Sequence, residues 1–409
     1  MRLIFVNRFY WPETPATSQL LTDLAEHLAA QGHEVHVITS HPGTPAIPLT
    51  ATRHRVQISR VRGTRHQQRG ALGKAGDFFT FYLGALWQLF RLTRRQSIII
   101  ALTDPPLFGI GAAWIAGARG ARLIHWIQDI YPELAIELTA HRWLRITRPW
   151  RNAAWAAADH CVTLGEDMAA VIAAAGVPQT AISVIPNWAP VGLAPAPATA
   201  LAALREEWGL GQAMVVAYSG NFGRVHDLAS VIALATTLRD ETEIAFVFIG
   251  SGAQHSALEA EARRRGLTRV TFLPAQSRAR LGAALGVGDV HLVTLRPGCE
   301  HLVFPSKLYG ICAVARPLIF IGPQDCEIAG LVNQHGIGWS VDPAEPARLV
   351  ALIRSLATDA SLRAAGGTAA ARFHAQHTFA DAASQWEARL RSLGADPSTT
   401  PFTSPPLQP

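Results

Sequence analysis

Three short segments in the second half of the chain carry groups suited to hold an anion. Ser219-Gly220-Asn221-Phe222-Gly223-Arg224 follows an apolar run, Val215 to Tyr218, and precedes apolar residues at helical spacing from Leu228. Glycines let backbone amides approach a ligand, a helix N-terminus favours negative charge, and an arginine reaches phosphate oxygens. A tight strand-to-helix turn accounts for the same residues, so this segment alone decides nothing. Gly250-Ser251-Gly252 follows the next strand-like run, Ile244 to Ile249, and falls at the same edge of the same sheet. The third segment is Phe304-Pro305-Ser306-Lys307, in which Pro-Ser can open a helix and set the ammonium near its start. There the lysine adds to the helix's own positive end, a poor place for stability and a good one for a diphosphate. Of 36 basic residues only Lys74 and Lys307 are lysines, which sets Lys307 apart from a solvated surface cation.

The first half offers carboxylates. The strand-like run Leu123 to Ile127 ends in Gln128-Asp129-Ile130-Tyr131-Pro132-Glu133. A carboxylate just past a strand end can orient or deprotonate a hydroxyl. Glu133 also fits as the opening residue of the next helix beside Pro132, whereas Asp129 has no such structural explanation. Asn7, Arg8, Tyr10 and Glu13 line the first strand-to-helix loop. Two further stretches mix aromatic residues with arginines: Phe78 to Arg95, and Arg142 to Trp155. That mixture suits the headgroup layer of an acidic bilayer, although core helices account for part of the aromatic content.

Positioning these groups requires alternating strands and helices. Strand-like runs at Leu3 to Val6, Val35 to Thr39, Ile98 to Leu102, Leu123 to Ile127, Cys161 to Leu164 and Ile182 to Ile185 alternate with helical periods. After an Ala- and Pro-rich stretch, Ala189 to Ala203, the alternation restarts and runs to Val341. The pattern predicts an α/β chain of two doubly wound domains with a cleft between them, where ligands meet the carboxyl ends of parallel strands. The expected boundaries are residues 1–190, a linker at 191–204, a second domain at 205–375, a C-terminal helix at 376–393 packing back on the first domain, and a disordered tail at 394–409.

Composition excludes several classes. The chain has 409 residues, 49% hydrophobic and 16% charged, with a net charge of +6 that lies entirely in its first half. Between Glu34 and Asp77 there is no carboxylate, while Arg53, Arg55, Arg60, Arg62, Arg65, Arg69 and Lys74 accumulate, which calls for an anionic partner. Nucleic acid is not expected, because no binding motif is present. Cys161, Cys299, Cys312 and Cys326 form no CxxC pair and have no histidine at ligand spacing, so a reducing cytoplasm fits and no metal site is expected. The opening run is too short for a signal peptide, and Asp104-Pro105-Pro106 interrupts the longest weakly charged stretch, so no membrane-spanning segment is predicted.

In combination these motifs resemble a known family. Tyr10-Trp11-Pro12-Glu13, Gly32-His33-Glu34-Val35, Asp104-Pro105-Pro106, Gln128 to Glu133 and Val184-Ile185-Pro186-Asn187 are similar to the first domain of bacterial family 4 glycosyltransferases. Tyr218 to Asn221, Phe248 to Gly252, Pro305 to Gly310, Arg316-Pro317 and Glu327 are similar to the second. The resemblance extends over all but the tail and is nearest to the colanic acid, O-antigen and capsule branch that includes L-fucosamine transferases. It implies the GT-B fold, two Rossmann-like domains facing a central cleft, with the donor held by the second domain and the acceptor by the first. It further implies retention of configuration, no metal and no cofactor beyond a nucleoside diphosphate sugar as donor substrate. A polyprenyl diphosphate-linked saccharide at the cytoplasmic membrane face is the expected acceptor, and the enzyme is then peripherally associated with the inner membrane. Donor contacts carried over by position are Gly220, Asn221, Arg224, Gly250, Gly252, Ser306, Lys307 and Glu327, with Asp129, Glu133, Lys307 and Arg224 as the catalytic candidates. The chain departs from the family where two glutamates eight residues apart are usual: Leu302 and Gly310 stand there, with Glu300 nearby. That departure motivates an alternative, a non-catalytic sugar-nucleotide or glycan-binding subunit of a synthesis complex. A GT-B epimerase needs an acid and base pair around one carbon, which the sequence does not offer.

Overall fold

A computed structural model describes residues 1–13, 15–64 and 70–395. It resolves into two compact units. Unit 1 comprises Met1–Pro186 and the described residues from Ala380 onward; unit 2 is Asn187–Phe379.

In unit 1, strands β1 (Arg2–Val6), β2 (Glu34–Ser40), β3 (Thr50–Arg53), β4 (Val56–Val61), β5 (Ile98–Leu102), β6 (Arg122–Trp126), β7 (His160–Thr163) and β8 (Ile182–Val184) form one sheet, ordered β3-β4-β2-β1-β5-β6-β7-β8. Helices α1 (Ala16–Ala30), α2 (Gly70–Leu92), α3 (Phe108–Arg119), α4 (Glu133–Thr139), α5 (Arg148–Ala156) and α6 (Glu166–Ala174) connect the strands. All pairings are parallel except β3 on β4. Central strands read as unbroken apolar runs because helices cover both of their faces: every residue of β5 is buried. Leu20, Leu21, Leu24 and Leu28 give α1 its buried stripe.

Unit 2 contains β9 (Met214–Asn221), β10 (Ile244–Ser251), β11 (Val270–Leu273), β12 (Val290–Thr294), β13 (Leu318–Ile321) and β14 (Gly338–Val341), all parallel in the order β11-β10-β9-β12-β13-β14. Its helices are α7 (Ala198–Glu207), α8 (Leu228–Thr237), α9 (His255–Arg264), α10 (Arg278–Val287), α11 (Lys307–Ala313), α12 (Glu327–His335), α13 (Pro346–Thr358) and α14 (Ala360–Ala375). The chain then returns to unit 1 in α15 (Phe379–Ala395). There Trp386 meets Trp126 edge-on at 4.9 Å, His27 Nε2 donates to Glu387 at 2.8 Å, and Arg389 donates to Ser183 Oγ at 2.8 Å.

Several expectations need correction. The stretch expected as a linker is part of unit 2, and its second half forms the first two turns of α7, whose Leu204 is buried against the sheet. Alanine-rich composition without charge hides a helix whose only strong signal is that one buried face. The basic run also contains a hairpin, β3 and β4. In it Arg60 is buried and donates to the carbonyls of Pro48 and Trp11, and Arg53 pairs with Glu26 at 2.6 Å while lying over the Trp11 ring. Those two cations are therefore structural, whereas Arg55 and Arg62 are exposed. Arg65 and Arg69, Thr14 and the tail beyond residue 395 lie outside the described residues.

Candidate active site

Each sheet has a point where strand order reverses, and open parallel sheets bind ligands outside the carboxyl ends of strands at that point. In unit 2 the reversal lies between β9 and β12. Strand β9 runs on through Gly220 and Asn221, paired with Gly250 and Ser251 of β10, so the first residues expected in loops belong to the sheet. A Cβ on Gly250 would stand 2.0 Å from the Gly220 carbonyl oxygen, and one on Gly252 would stand 2.6 Å from Phe222 N. Those two glycines are required by the close approach of the backbone around Gly220 and Phe222. The following loop is held by Gln254, whose Nε2 donates to the carbonyls of Gly223 and His226, and by Asp227, which caps α8 through Ser230 N. Arg224 is left exposed at its tip.

Lys307 stands at the centre of this edge. Its Nζ lies 3.7 Å from the centroid of the Tyr218 ring and would be 3.6 Å from a Cβ on Gly220. It is buried and has no hydrogen-bond partner. Burial pulls its ammonium well below the ordinary lysine value. His226 beside it is neutral, driven down to about 3 by burial and by Lys307, with Nδ1 donating to the Thr294 carbonyl at 2.6 Å. The expected cap is not made. Ser306 adopts helical angles, φ −62° and ψ −14°, which turn its hydroxyl away from the first amides of α11. Glu327 opens α12 after β13, at the same edge of the sheet.

Two residues at this edge acquire weight only in three dimensions. Arg296 follows β12, pairs with no carboxylate among the described residues, and donates through Nη1 to the Arg224 carbonyl at 3.5 Å, while its amide donates to the Val225 carbonyl. Its position two residues past a strand end was the available signal. Glu300, in the same connection, buries Oε2 without a partner. Arg224 and Arg296, joined through the Arg224 carbonyl, lie in loops at the same edge of the sheet as Lys307.

The reversal in unit 1 lies between β1 and β5. Arg8, just past β1, pairs with Asp104, just past β5, at 3.1 Å, and its amide donates to the Asp104 carbonyl at 2.7 Å. The guanidinium is sandwiched by Phe9 and Phe78, each with its ring centroid under 5 Å away. Thr103 Oγ1 accepts the amides of Gln128 and Asp129, which fixes the end of β6 beside this pair. Burial, then the Asp104 charge, raises the Asp129 carboxyl to about 7. It opens onto a cavity of about 30 Å³ lined also by His125, Tyr131, Arg151 and Trp155, with room for water but not for a sugar. Asn7 is buried and donates through Nδ2 to the Phe9 carbonyl, and Tyr10 is wholly inside, so both shape the loop.

Glu133 is occupied. Its Oε1 accepts from Arg148 at 2.6 Å and from Arg151 at 2.7 Å, and Arg151 also donates to the Tyr131 carbonyl and lies over Trp155. This clamp ties α4 to α5 and holds the carboxyl below its usual range despite burial, so Glu133 is a poor base and a structural residue. Among the described residues no group of three or more His, Cys, Asp or Glu side chains is arranged to hold a metal ion.

Comparison with known proteins accords with this geometry. Over 373 residues the chain is 29% identical to the putative colanic acid biosynthesis glycosyl transferase WcaI of Escherichia coli (strain K12), covering 87% of this chain and 91% of that one. Its fold matches that of Anabaena HepE, solved in complex with UDP-glucose, with a TM-score of 0.75 at 15% identity over 96% of this chain and 100% of that one. It also matches sucrose-phosphate synthase from Thermosynechococcus elongatus, with a TM-score of 0.77 at 16% identity over 97% and 99% of the two chains. Both neighbours share the GT-B arrangement of two parallel-sheet domains. Residues 17–188 match the glycosyl transferase 4-like domain and residues 203–373 match the glycosyl transferases group 1 domain; the chain belongs to the GT-B glycosyltransferases of family 4.

Proposed function

We propose that this glycosyltransferase moves a hexose-type sugar from a nucleoside diphosphate donor to a lipid-linked saccharide, at the cytoplasmic membrane face, in the synthesis of a cell-surface polysaccharide. The observation that carries the donor assignment is the buried, unpartnered Nζ of Lys307 beside Tyr218 and Gly220, at the sheet edge that also carries Arg224 and Arg296. A cation enclosed without a counter-charge is costly unless an anion completes the site. The diphosphate of a sugar nucleotide is that anion, and HepE was solved with such a donor. During transfer the anomeric C1–O bond to the diphosphate breaks and the acceptor oxygen bonds to C1, with configuration retained. Charge growing on the leaving diphosphate is stabilised by the three cations and by backbone amides, so no metal and no separate cofactor is needed. Asp129 takes the acceptor proton through a water held in the small cavity it lines, which does not admit the sugar itself. Polysaccharide synthesis and a lipid-borne acceptor are supported by the likeness to WcaI and by the arginine-rich aromatic helices of unit 1.

The test is a panel of UDP, GDP and dTDP sugars incubated with lipid-linked saccharides, read by release of free nucleotide. Release with one donor that depends on acceptor is expected. A second reading, a sugar-nucleotide-binding subunit without turnover, draws on Leu302 and Gly310 in place of acidic residues. Saturable donor binding with no release under any acceptor would establish it.

A further inference from the structure

Helices α2, α3 and α5 pack side by side, α3 touching both others, on one face of the unit 1 sheet. Their inward faces form the core, with Phe81, Ala85 and Leu89 of α2 buried. Their outward faces are apolar as well. Phe79, Leu83 and Trp87 recur every four residues along α2, Trp114 stands on α3, and Trp143 and Trp150 stand on α5 and the turn before it; each is more than half exposed. Elsewhere among the described residues exposed large apolar side chains are scattered singly. Exposed arginines edge the layer: Arg91 stands in the last turn of α2, Arg95 follows it, and Arg142 and Arg145 precede α5, with no carboxylate paired to any of the four among the described residues. Contiguous apolar surface of this extent marks an interaction site.

We propose that the outer faces of α2, α3 and α5 dock unit 1 on an acidic bilayer, seating their aromatic side chains in the headgroup layer and their arginines against lipid phosphates. Amphipathic helices lie in that layer with Trp and Phe inward and basic residues at the polar boundary. Charge favours lipid over a second copy of the chain, because self-association through this face would oppose one set of unpaired arginines to another. No helix among the described residues is long and apolar enough to cross the membrane, so the contact is interfacial. The inference gives physical form to the membrane-borne acceptor proposed above, yet its test does not depend on turnover.

The full chain is mixed with phosphatidylcholine vesicles, with or without phosphatidylglycerol, and sedimented at low and high salt. Brominated lipids report tryptophan depth, and light scattering reports mass. Binding that requires phosphatidylglycerol, survives in part at high salt and is quenched by brominated chains is expected. Trp87→Ser combined with Trp143→Ser should weaken vesicle affinity roughly tenfold or more without changing nucleotide binding. Binding without quenching, no preference for the acidic lipid, or a dimer that the two substitutions dissociate would each overturn the proposal. Should the double variant misfold, the quenching of the unaltered chain still decides. Loss of nucleotide binding in the unaltered chain would sink the donor assignment alone.

Discussion

A lysine ammonium buried without a hydrogen-bond acceptor holds its proton weakly, and Lys307 is in that position. The groups facing it, Tyr218, His226 and His291, are all neutral at physiological pH: burial raises the phenol and lowers both imidazoles, to about 3 and about 4. Burial therefore weakens the hold of Lys307 on its proton, and a diphosphate beside it strengthens that hold. Donor binding should then take up a proton at any pH above the lowered value of Lys307 and below that of an ordinary lysine. Affinity should fall as pH rises through that interval. Calorimetry in two buffers of different ionisation heat measures the uptake, which Lys307→Ala should abolish while lowering kcat/KM roughly 10²- to 10³-fold. Asp129 titrates the other way in function. With its carboxyl at about 7, the base form grows as pH rises through that value, so kcat/KM should rise with it. Asp129→Asn should flatten the profile and reduce the rate by about 10²-fold or more. Stability carries the opposite sign: the folded state keeps a proton that the unfolded carboxyl has lost, so stability falls as pH rises from the usual carboxylate range through about 7. The asparagine variant should melt higher than the parent at alkaline pH.

At the level of elements, the glycines of β10 test how far sequence motifs convey mechanism. Gly250 and Gly252 look like ligand-binding glycines, yet their space is filled by the β9 backbone, at φ +138° and +150°. Alanine at either site should cost roughly 2 kcal/mol or more in stability, from backbone strain and overpacking. Nucleotide binding would be lost through displacement of the Gly220 strand, a result visible by thermal melting and nucleotide titration together. The central strands of both sheets were legible because buried parallel strands are runs of apolar residues with turn signals between them. The β3 and β4 hairpin was hidden because Arg53 and Arg60, which look solvated in sequence, are paired or buried by residues distant along the chain. The site was half legible. Lys307 and Arg224 stood out by type and position, and Asp129 by the lack of a structural excuse. The occupation of Glu133 by Arg148 and Arg151, and the approach of Arg296 to Arg224, depend on loops brought together by the sheet, which local periodicity does not encode.

At the scale of the whole molecule, α15 decides where the chain's cooperative units begin and end. Its Trp386 is fully buried in unit 1 against Trp126, more than 250 residues away in sequence, while the preceding α14 belongs to unit 2. Unit 1 thus has two chain segments, and its core is incomplete until the last helix is made, whereas unit 2 is continuous. A substitution that weakens α15 should be felt by unit 1 alone. Trp386→Ala removes a large side chain from a packed interior and should destabilise unit 1 by about 3–5 kcal/mol. Calorimetry should show the transition of one unit moved downward and that of the other unmoved, since sites without shared partners add independently. A nucleotide held by unit 2 should raise only the second transition, through mass action on the folded form. If both transitions fell together in the Trp386 variant, the two units would be one cooperative body and the assignment of α15 to unit 1 alone would be wrong.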